Sequence, residues 1–211
     1  MGWLTDSEPV TMDFRRMDGP STTTLVREFT DGRCESFRTL HRRIAPKLFV
    51  WCALRIPAAL QARIDPEDLT QEIWLRSVLA LGRFDRSIAA FRPWLFGIAA
   101  NTLAETLRRL NRRQSERLLD TTEGRFDAMP ADVTSVLSTA VRHEQTRRLI
   151  DACMALPADD RSLLIYRGIE ELPHAEVARL LGIREDAAEM RWRRLSARLR
   201  DEWSAAGLDE A

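Results

Sequence analysis

The chain has 211 residues, 45% of them hydrophobic and 30% charged, with 32 basic and 32 acidic side chains and a formal net charge of zero. That balance is globular and excludes wholesale disorder. It also means that any affinity for nucleic acid has to be read from where the charges lie, not from their sum.

No stretch approaches the roughly 18 consecutive apolar residues of a membrane span. The start, Met1 to Pro9, lacks the basic region and apolar core of a signal peptide, and Asp6 breaks the myristoylation spacing. A cytoplasmic protein is expected. Cys34, Cys52 and Cys153 are far apart and odd in number. Their spacing suits neither a disulfide framework nor a zinc site, and three small buried apolar side chains are expected.

Residues 1–21 are punctuated by Pro and Gly and read as a flexible extension. Residues 22–113 are dense in Leu, Ile, Phe, Trp and Ala at helical spacing. Residues 114–141 differ. They hold Gly124, Pro130 and many Ser/Thr, with five acids (Glu116, Asp120, Glu123, Asp127, Asp132) against two bases (Arg117, Arg125). A stretch of about 25 such residues is long for a connection inside one domain and reads as a flexible acidic linker. Helical spacing returns over 142–205, and 206–211 form a tail. Strand-like alternation is missing, so the fold is expected to be all-α: two small helical domains and a tether.

In the first domain, Asp65-Pro66-Glu67-Asp68 is a helix start, with Asp65 as cap, Pro66 at the first position and acids at the positive end of the dipole. The helix should run to about Leu81 and stop at Gly82. Leu69, Ile73, Trp74, Val78 and Leu81 supply its core face. Asp68, Gln71, Glu72, Leu75 and Arg76 share another face, which suits either solvent or a partner helix. A second helix is expected from Pro93 to about Arg113, in which Gly97 costs about 1 kcal/mol relative to Ala and allows close packing. Arg108, Arg109, Arg112 and Arg113 cluster at its end, more cation than the helix dipole requires, and suit phosphate tracking. The intervening Arg83–Trp94 segment mixes aromatics and arginines, a composition that can hold unstacked bases. Phe84, Phe91 and Trp94 serve equally as core anchors there, the preferred role for Trp94.

In the second domain, Leu172–Leu181 reads as a short amphipathic helix, Leu181-Gly182-Ile183 as a tight turn, and Arg184 to about Arg200 as a longer helix. This is the helix-turn-helix pattern. Ala188, Trp192, Leu195 and Leu199 form its apolar stripe. Ala187, Met190, Arg191, Arg194 and Arg198 lie opposite, with Arg193 on the flank. Six arginines against three acids over 184–200 suit phosphate contacts and guanine reading in a major groove. A solvated face with links such as Glu189 to Arg193 is the plainer alternative.

Asp65-Pro66-Glu67-Asp68-Leu69-Thr70-Gln71-Glu72-Ile73-Trp74-Leu75-Arg76, Leu81-Gly82-Arg83-Phe84-Asp85, Phe91-Arg92-Pro93-Trp94-Leu95-Phe96-Gly97-Ile98-Ala99-Ala100-Asn101 and Leu107-Arg108-Arg109 together resemble region 2 of extracytoplasmic-function sigma factors, the smallest members of the sigma-70 family. Leu156-Pro157-Ala158-Asp159-Asp160-Arg161 and Glu176-Val177-Ala178-Arg179-Leu180-Leu181-Gly182-Ile183 resemble their region 4. The resemblance implies a promoter-recognition subunit of RNA polymerase that directs DNA melting and initiation. It has no catalytic residues, cofactor or metal of its own. It implies that Asp68, Gln71, Glu72, Leu75 and Arg76 face the polymerase core. The loop 85–90, including Asp85, Arg86, Ser87 and Ile88, would take a flipped base of the −10 element. Asn101, Arg108, Arg109 and Arg112 would lie along the melted single strand. Arg184, Ala187, Met190, Arg191, Arg194 and Arg198 would meet the −35 duplex. An anti-sigma partner is implied, with no membrane contact except through it.

The chain departs from the family at Ala187-Ala188-Glu189-Met190, where Thr-Val-Lys-Ser is common, and at Pro173, where a Ser cap is common. Glu185, Asp186 and Glu189 reduce the positive field near the −35 element. Two other classes compete. A stand-alone helix-turn-helix regulator would have no use for the polymerase-facing residues. An all-α enzyme lacks a signature here: His41, His143 and His174 have no metal-ligand spacing, and no phosphate loop or nucleophile elbow occurs.

Overall fold

The computed structural model describes residues 20–85, 90–119 and 136–205, with side chains described except over 113–119 and 136–143. Arg86, Ser87, Ile88, the side chain of Arg113, most of the acidic stretch, both termini and His143's side chain lie outside the described residues. All described secondary structure is helical.

Local chemistry sets the helix starts. Ser21 caps α1 (Thr22–Thr30) by accepting from the Thr24 amide at 3.1 Å. After a turn through Gly32 at φ +91°, α2 (Cys34–Arg55) runs for 22 residues with Pro46 inside it. Pro46 removes one amide donor, and the helix persists because Leu40, Ile44, Leu48, Trp51 and Cys52 are fully buried around it. A 3-10 turn (Ala58–Leu60) leads to α3 (Pro66–Ala80). As expected, Asp65 accepts from the Glu67 amide, at 2.7 Å, and Pro66 opens the helix.

Several details differ from the expectation. The α3 helix does not stop at a left-handed Gly82; it tightens into a 3-10 turn over Leu81–Arg83, whose carbonyl of Leu81 accepts from Phe84. Val78 is 39% exposed and is not part of the core face, which Leu69, Ile73 and Trp74 supply where α3 packs with α2 and α4. The next helix, α4 (Phe91–Leu119), starts two residues before Pro93 and continues six residues past Arg113. Gly97 is exposed on it, and a Cβ there would meet nothing within 4 Å, so close packing is not its reason.

The second unit contains α5 (Val136–Ala155), α6 (Ala158–Leu163), a π-helical stretch (Leu164–Ile169), α7 (His174–Leu181) and α8 (Glu185–Ala205). Gly182 adopts φ +66° after α7, and the Ile183 amide returns to the Ala178 carbonyl at 3.0 Å. That left-handed cap makes the tight turn, a conformation Gly adopts without a Cβ penalty. Pro173 sits as the capping residue itself, just before α7.

Helices α1 to α4 pack on one another, and α6, α7, α8 and the π-helical stretch form a second group. The groups also touch: α2 packs on α5 and on the π-helical stretch, and the buried apolar side chains of both form one connected cluster. Cys52 and Cys153 are buried in it, whereas Cys34 opens α2 and is exposed, so only two of the three thiols take the expected core role.

Candidate polymerase and promoter surfaces

On α3, Asp68 and Gln71 are exposed, Glu72 and Arg76 are half-buried, and Leu75 is 61% exposed. Leu79 is 77% exposed and continues this face together with Val78. Three adjacent exposed aliphatic side chains on one helix, rimmed by charge, have the composition of a protein-docking patch. Spacing alone assigns Val78 to the core and gives Leu79 no role. The one local signal for Leu79 is its position a residue outside the core spacing.

Arg76 spans two surfaces. One guanidinium nitrogen donates to Glu72 at 2.7 Å and the other to Glu105 on α4 at 2.6 Å. No sequence pattern marks Glu105 or Thr106. Arg76 beside Glu105, with Arg108 and Arg109 nearby, holds its carboxyl below the usual Glu range. Arg76, Glu105, Thr106, Arg108, Arg109 and Arg112 line one shallow concavity. Arg108, Arg109 and Arg112 are exposed, as is Asn101 two to three turns earlier on α4. Packing of α3 on α4 therefore brings the expected polymerase-facing arginine and the expected strand-tracking arginines to the same edge of the helix pair, where Glu105 accepts from Arg76.

Phe84, Phe91 and Trp94 anchor the connection between α3 and α4. Their ring centroids are 5.7 Å (Phe84–Phe91), 4.9 Å (Phe84–Trp94) and 5.5 Å (Phe91–Trp94) apart. Phe91 is buried and the other two are half-buried. Mutual edge and tilted packing fixes both ends of the 85–90 loop, so Trp94 has the anchoring role preferred for it. Asp85 is exposed at the loop's entrance.

On α8 the buried stripe consists of Ala188, Leu195, Leu199 and Trp203, with Trp192 half-buried. Met190, Arg191, Arg194 and Arg198 are exposed opposite it, and Ala187 is half-buried. The arginines are not equivalent. Arg198 donates to Asp160 on α6 at 2.7 Å, with Glu202 3.8 Å away, and Arg191 lies 4.0 Å from Asp159. Arg184 is held by Asp186 at 2.8 Å. Among the described residues, Arg193 and Arg194 have no ion-pair partner within 4.0 Å. The sequence could not rank them, because Asp159 and Asp160 lie more than thirty residues away and meet α8 only in the folded unit.

Among the described residues, no helix is long and apolar enough to cross a membrane, and no three His, Cys, Asp or Glu side chains gather as a metal site. An all-helical chain with an exposed arginine face in one unit and a helix-turn-helix in the other has the architecture of a two-part DNA-binding protein.

Comparison with known proteins narrows this class. Residues 28–113 match the family described as Sigma-70 region 2, and residues 146–199 match Sigma-70, region 4. The two matches take in well over half of the chain. The ECF RNA polymerase sigma factor SigD of Mycobacterium tuberculosis is 28% identical over 203 residues, covering 95% of this chain and 90% of the relative. RNA polymerase sigma factor CarQ of Myxococcus xanthus is 28% identical over 176 residues, covering 83% of this chain and 94% of the relative. A solved structure of CnrH in complex with the cytosolic domain of CnrY is also similar, with TM-score 0.43 and 22% identity, covering 86% of this chain and 96% of that chain. The chain belongs to the sigma-70 family, in its extracytoplasmic-function group, and is a sigma factor for transcription initiation. Such a protein is a non-catalytic subunit: its regions 2 and 4 bind the polymerase core and promoter DNA, and the core performs the chemistry.

Proposed function

We propose that the two surfaces of the first unit divide the work of opening a promoter. The exposed α3 face, Asp68, Gln71, Glu72, Leu75 and Arg76, docks on the polymerase core, with Val78 and Leu79 extending the contact. The α4 edge, Asn101, Arg108, Arg109 and Arg112, tracks the phosphates of the separated −10 strand. The loop from Asp85 through Arg86, Ser87 and Ile88 holds a base taken out of the stack. In the second unit α8 enters the major groove of the −35 duplex with Arg184, Ala187, Met190, Arg191, Arg194 and Arg198 on its exposed side. The working units are residues 22–119 and 136–205, because α4 and α5 run into the expected 114–141 linker from either side, which leaves 120–135 as the connection, with an extension (1–21) and a tail (206–211) flanking them. The chain acts in the cytoplasm, and an anti-sigma protein holds it inactive.

The observation that carries this reading is the Arg76–Glu105 bridge. It links the α3 docking face to the α4 arginine edge across one packed helix pair, so the two surfaces lie side by side. For the anti-sigma partner there are parallels among similar proteins: CnrH was solved with the cytosolic domain of CnrY, and RpoE of Bartonella quintana with the anti-sigma factor NepR.

A run-off transcription assay tests it. Core polymerase with this chain should give specific start sites on a genomic promoter library, and Asp68→Arg with Gln71→Arg should abolish both co-purification with core and transcripts. Transcripts and core binding that survive the double substitution would overturn the docking assignment.

A further inference from the structure

An acid interrupts the basic edge of the first unit. On α4, Asn101, Glu105, Arg108, Arg109 and Arg112 follow one another at helical steps and share one stripe. From Asn101 to Arg112 that stripe is about 16 Å long at 1.5 Å per residue. Glu105 is the one acid on it and stands between Asn101 and the arginines. Its carboxylate accepts from one terminal nitrogen of Arg76 at 2.6 Å, while the other terminal nitrogen donates to Glu72 at 2.7 Å. Arg76 foremost, with Arg108 and Arg109 behind it, keeps the Glu105 carboxyl ionised at neutral pH. The acid thus acts on these guanidinium groups as a phosphate oxygen would. It accepts a charge-assisted hydrogen bond and cancels part of their field.

We infer that Glu105 occupies the place of a strand phosphate on the α4 edge: in the free chain it holds Arg76 and masks Arg108 and Arg109, and a single-stranded nucleic acid has to displace it. The inference rests on the reading of that edge as the surface for the separated −10 strand.

The surroundings permit the exchange. The bridge lies in a shallow concavity, and the Glu105 side chain is 53% exposed. A carboxylate so placed turns out to water at little cost, because an exposed ion pair contributes little net stability. Nor does the packing of α3 on α4 rest on the bridge. Ile73 and Trp74 of one helix and Leu95 and Ala99 of the other are buried in the same apolar cluster.

The consequence is selectivity. An arginine stripe with nothing to mask it holds any polyanion, whatever its bases. An acid within the stripe lowers that sequence-independent share of the binding and leaves more of the discrimination to contacts with bases. Glu105 therefore makes the edge a weak collector of phosphates by itself, so a strand is held firmly only where its bases also fit.

Fluorescence anisotropy of the full chain with a labelled oligothymidylate of about twelve nucleotides tests it, because that strand offers phosphates without a promoter sequence. Glu105→Gln keeps an oxygen that can accept from Arg76 and removes the charge. It should bind the strand roughly three- to tenfold more tightly than wild type at low salt, where an exposed charge is least screened. The slope of log K against log salt should steepen by about 0.7, as one more phosphate is neutralised. Adding Arg76→Ala to Glu105→Gln should return the slope to the wild-type value. A gain that persists undiminished in the double variant would mean the strand does not take over Arg76, and the inference fails. It fails equally if Glu105→Gln melts at a lower temperature with affinity and slope unchanged, the result for a bridge that only ties α3 to α4. Arg108→Ala checks the underlying reading. A shallower slope for Arg108→Ala beside an unchanged one for Glu105→Gln overturns the inference alone. Unchanged slopes in both remove the edge from strand binding, and the inference with it.

Discussion

The guanidinium of Arg198 on α8 donates to the carboxylate of Asp160 on α6 at 2.7 Å, while Arg194, one turn earlier, faces solvent with no ion-pair partner among the described residues. Two arginines that sequence periodicity makes equivalent thus have different work. Arg198 ties α8 to α6; Arg194 is available to DNA.

Substitution separates them. Arg194→Ala should weaken binding to a −35 duplex by about 1–3 kcal/mol if it reads a base edge. Arg198→Ala should weaken it less and cost up to about 1 kcal/mol of folding stability, the range for a partly exposed ion pair. Fluorescence anisotropy and urea denaturation on both variants check this, and a larger DNA defect for Arg198→Ala would reverse the ranking.

On the α4 edge, Arg109→Ala should lower the dependence of single-strand binding on salt. Each phosphate that the protein no longer neutralises reduces the slope of log K against log salt by about 0.7. Titrations at four or five salt concentrations with a −10 oligonucleotide measure it. An unchanged slope would remove Arg109 from the strand-tracking set.

The exposed aliphatic face of α3 makes a sharper case. Leu75→Asp and Leu79→Asp should each leave folding stability within about 0.5 kcal/mol of wild type, as surface substitutions do. Each should cost about 1 kcal/mol or more of core affinity, and about 2 kcal/mol where the side chain fills a buried pocket at the centre of the interface. Pull-down of core polymerase alongside a thermal melt reads both quantities.

Gly97 offers a stability test. It is exposed inside a long helix with nothing within 4 Å of a Cβ. Gly97→Ala should stabilise the first unit by about 1 kcal/mol, the propensity difference between the two residues. A destabilised variant would show that the backbone there needs freedom.

The thiols should be counted with an aromatic disulfide reagent at pH 8. Burial pushes the Cys52 and Cys153 thiols up to about 12, and Cys34 is exposed. Native protein should release one equivalent quickly and denatured protein three. Two or more in the native state would mean the core opens readily.

Helix starts, the turn at Gly182, the apolar stripe of α8 and the all-α class were legible because they depend on neighbours within about four residues. Asp65 and Pro66 open a helix wherever they stand together, and Gly182 takes a left-handed cap without cost. Which side chains share the exposed faces of α3, α4 and α8 could also be placed, since a 3.6-residue period fixes that. Tertiary structure decided the rest. Val78 reads as core by spacing and lies 39% exposed in the fold, which places it outside the face that α3 buries. Glu105 joins Arg76 from 29 residues away, Asp160 holds Arg198 from 38, and Glu170 meets Trp51 from 119. No local pattern carries such pairings, because the field of a charge acts through space and the chain must fold before it selects a partner.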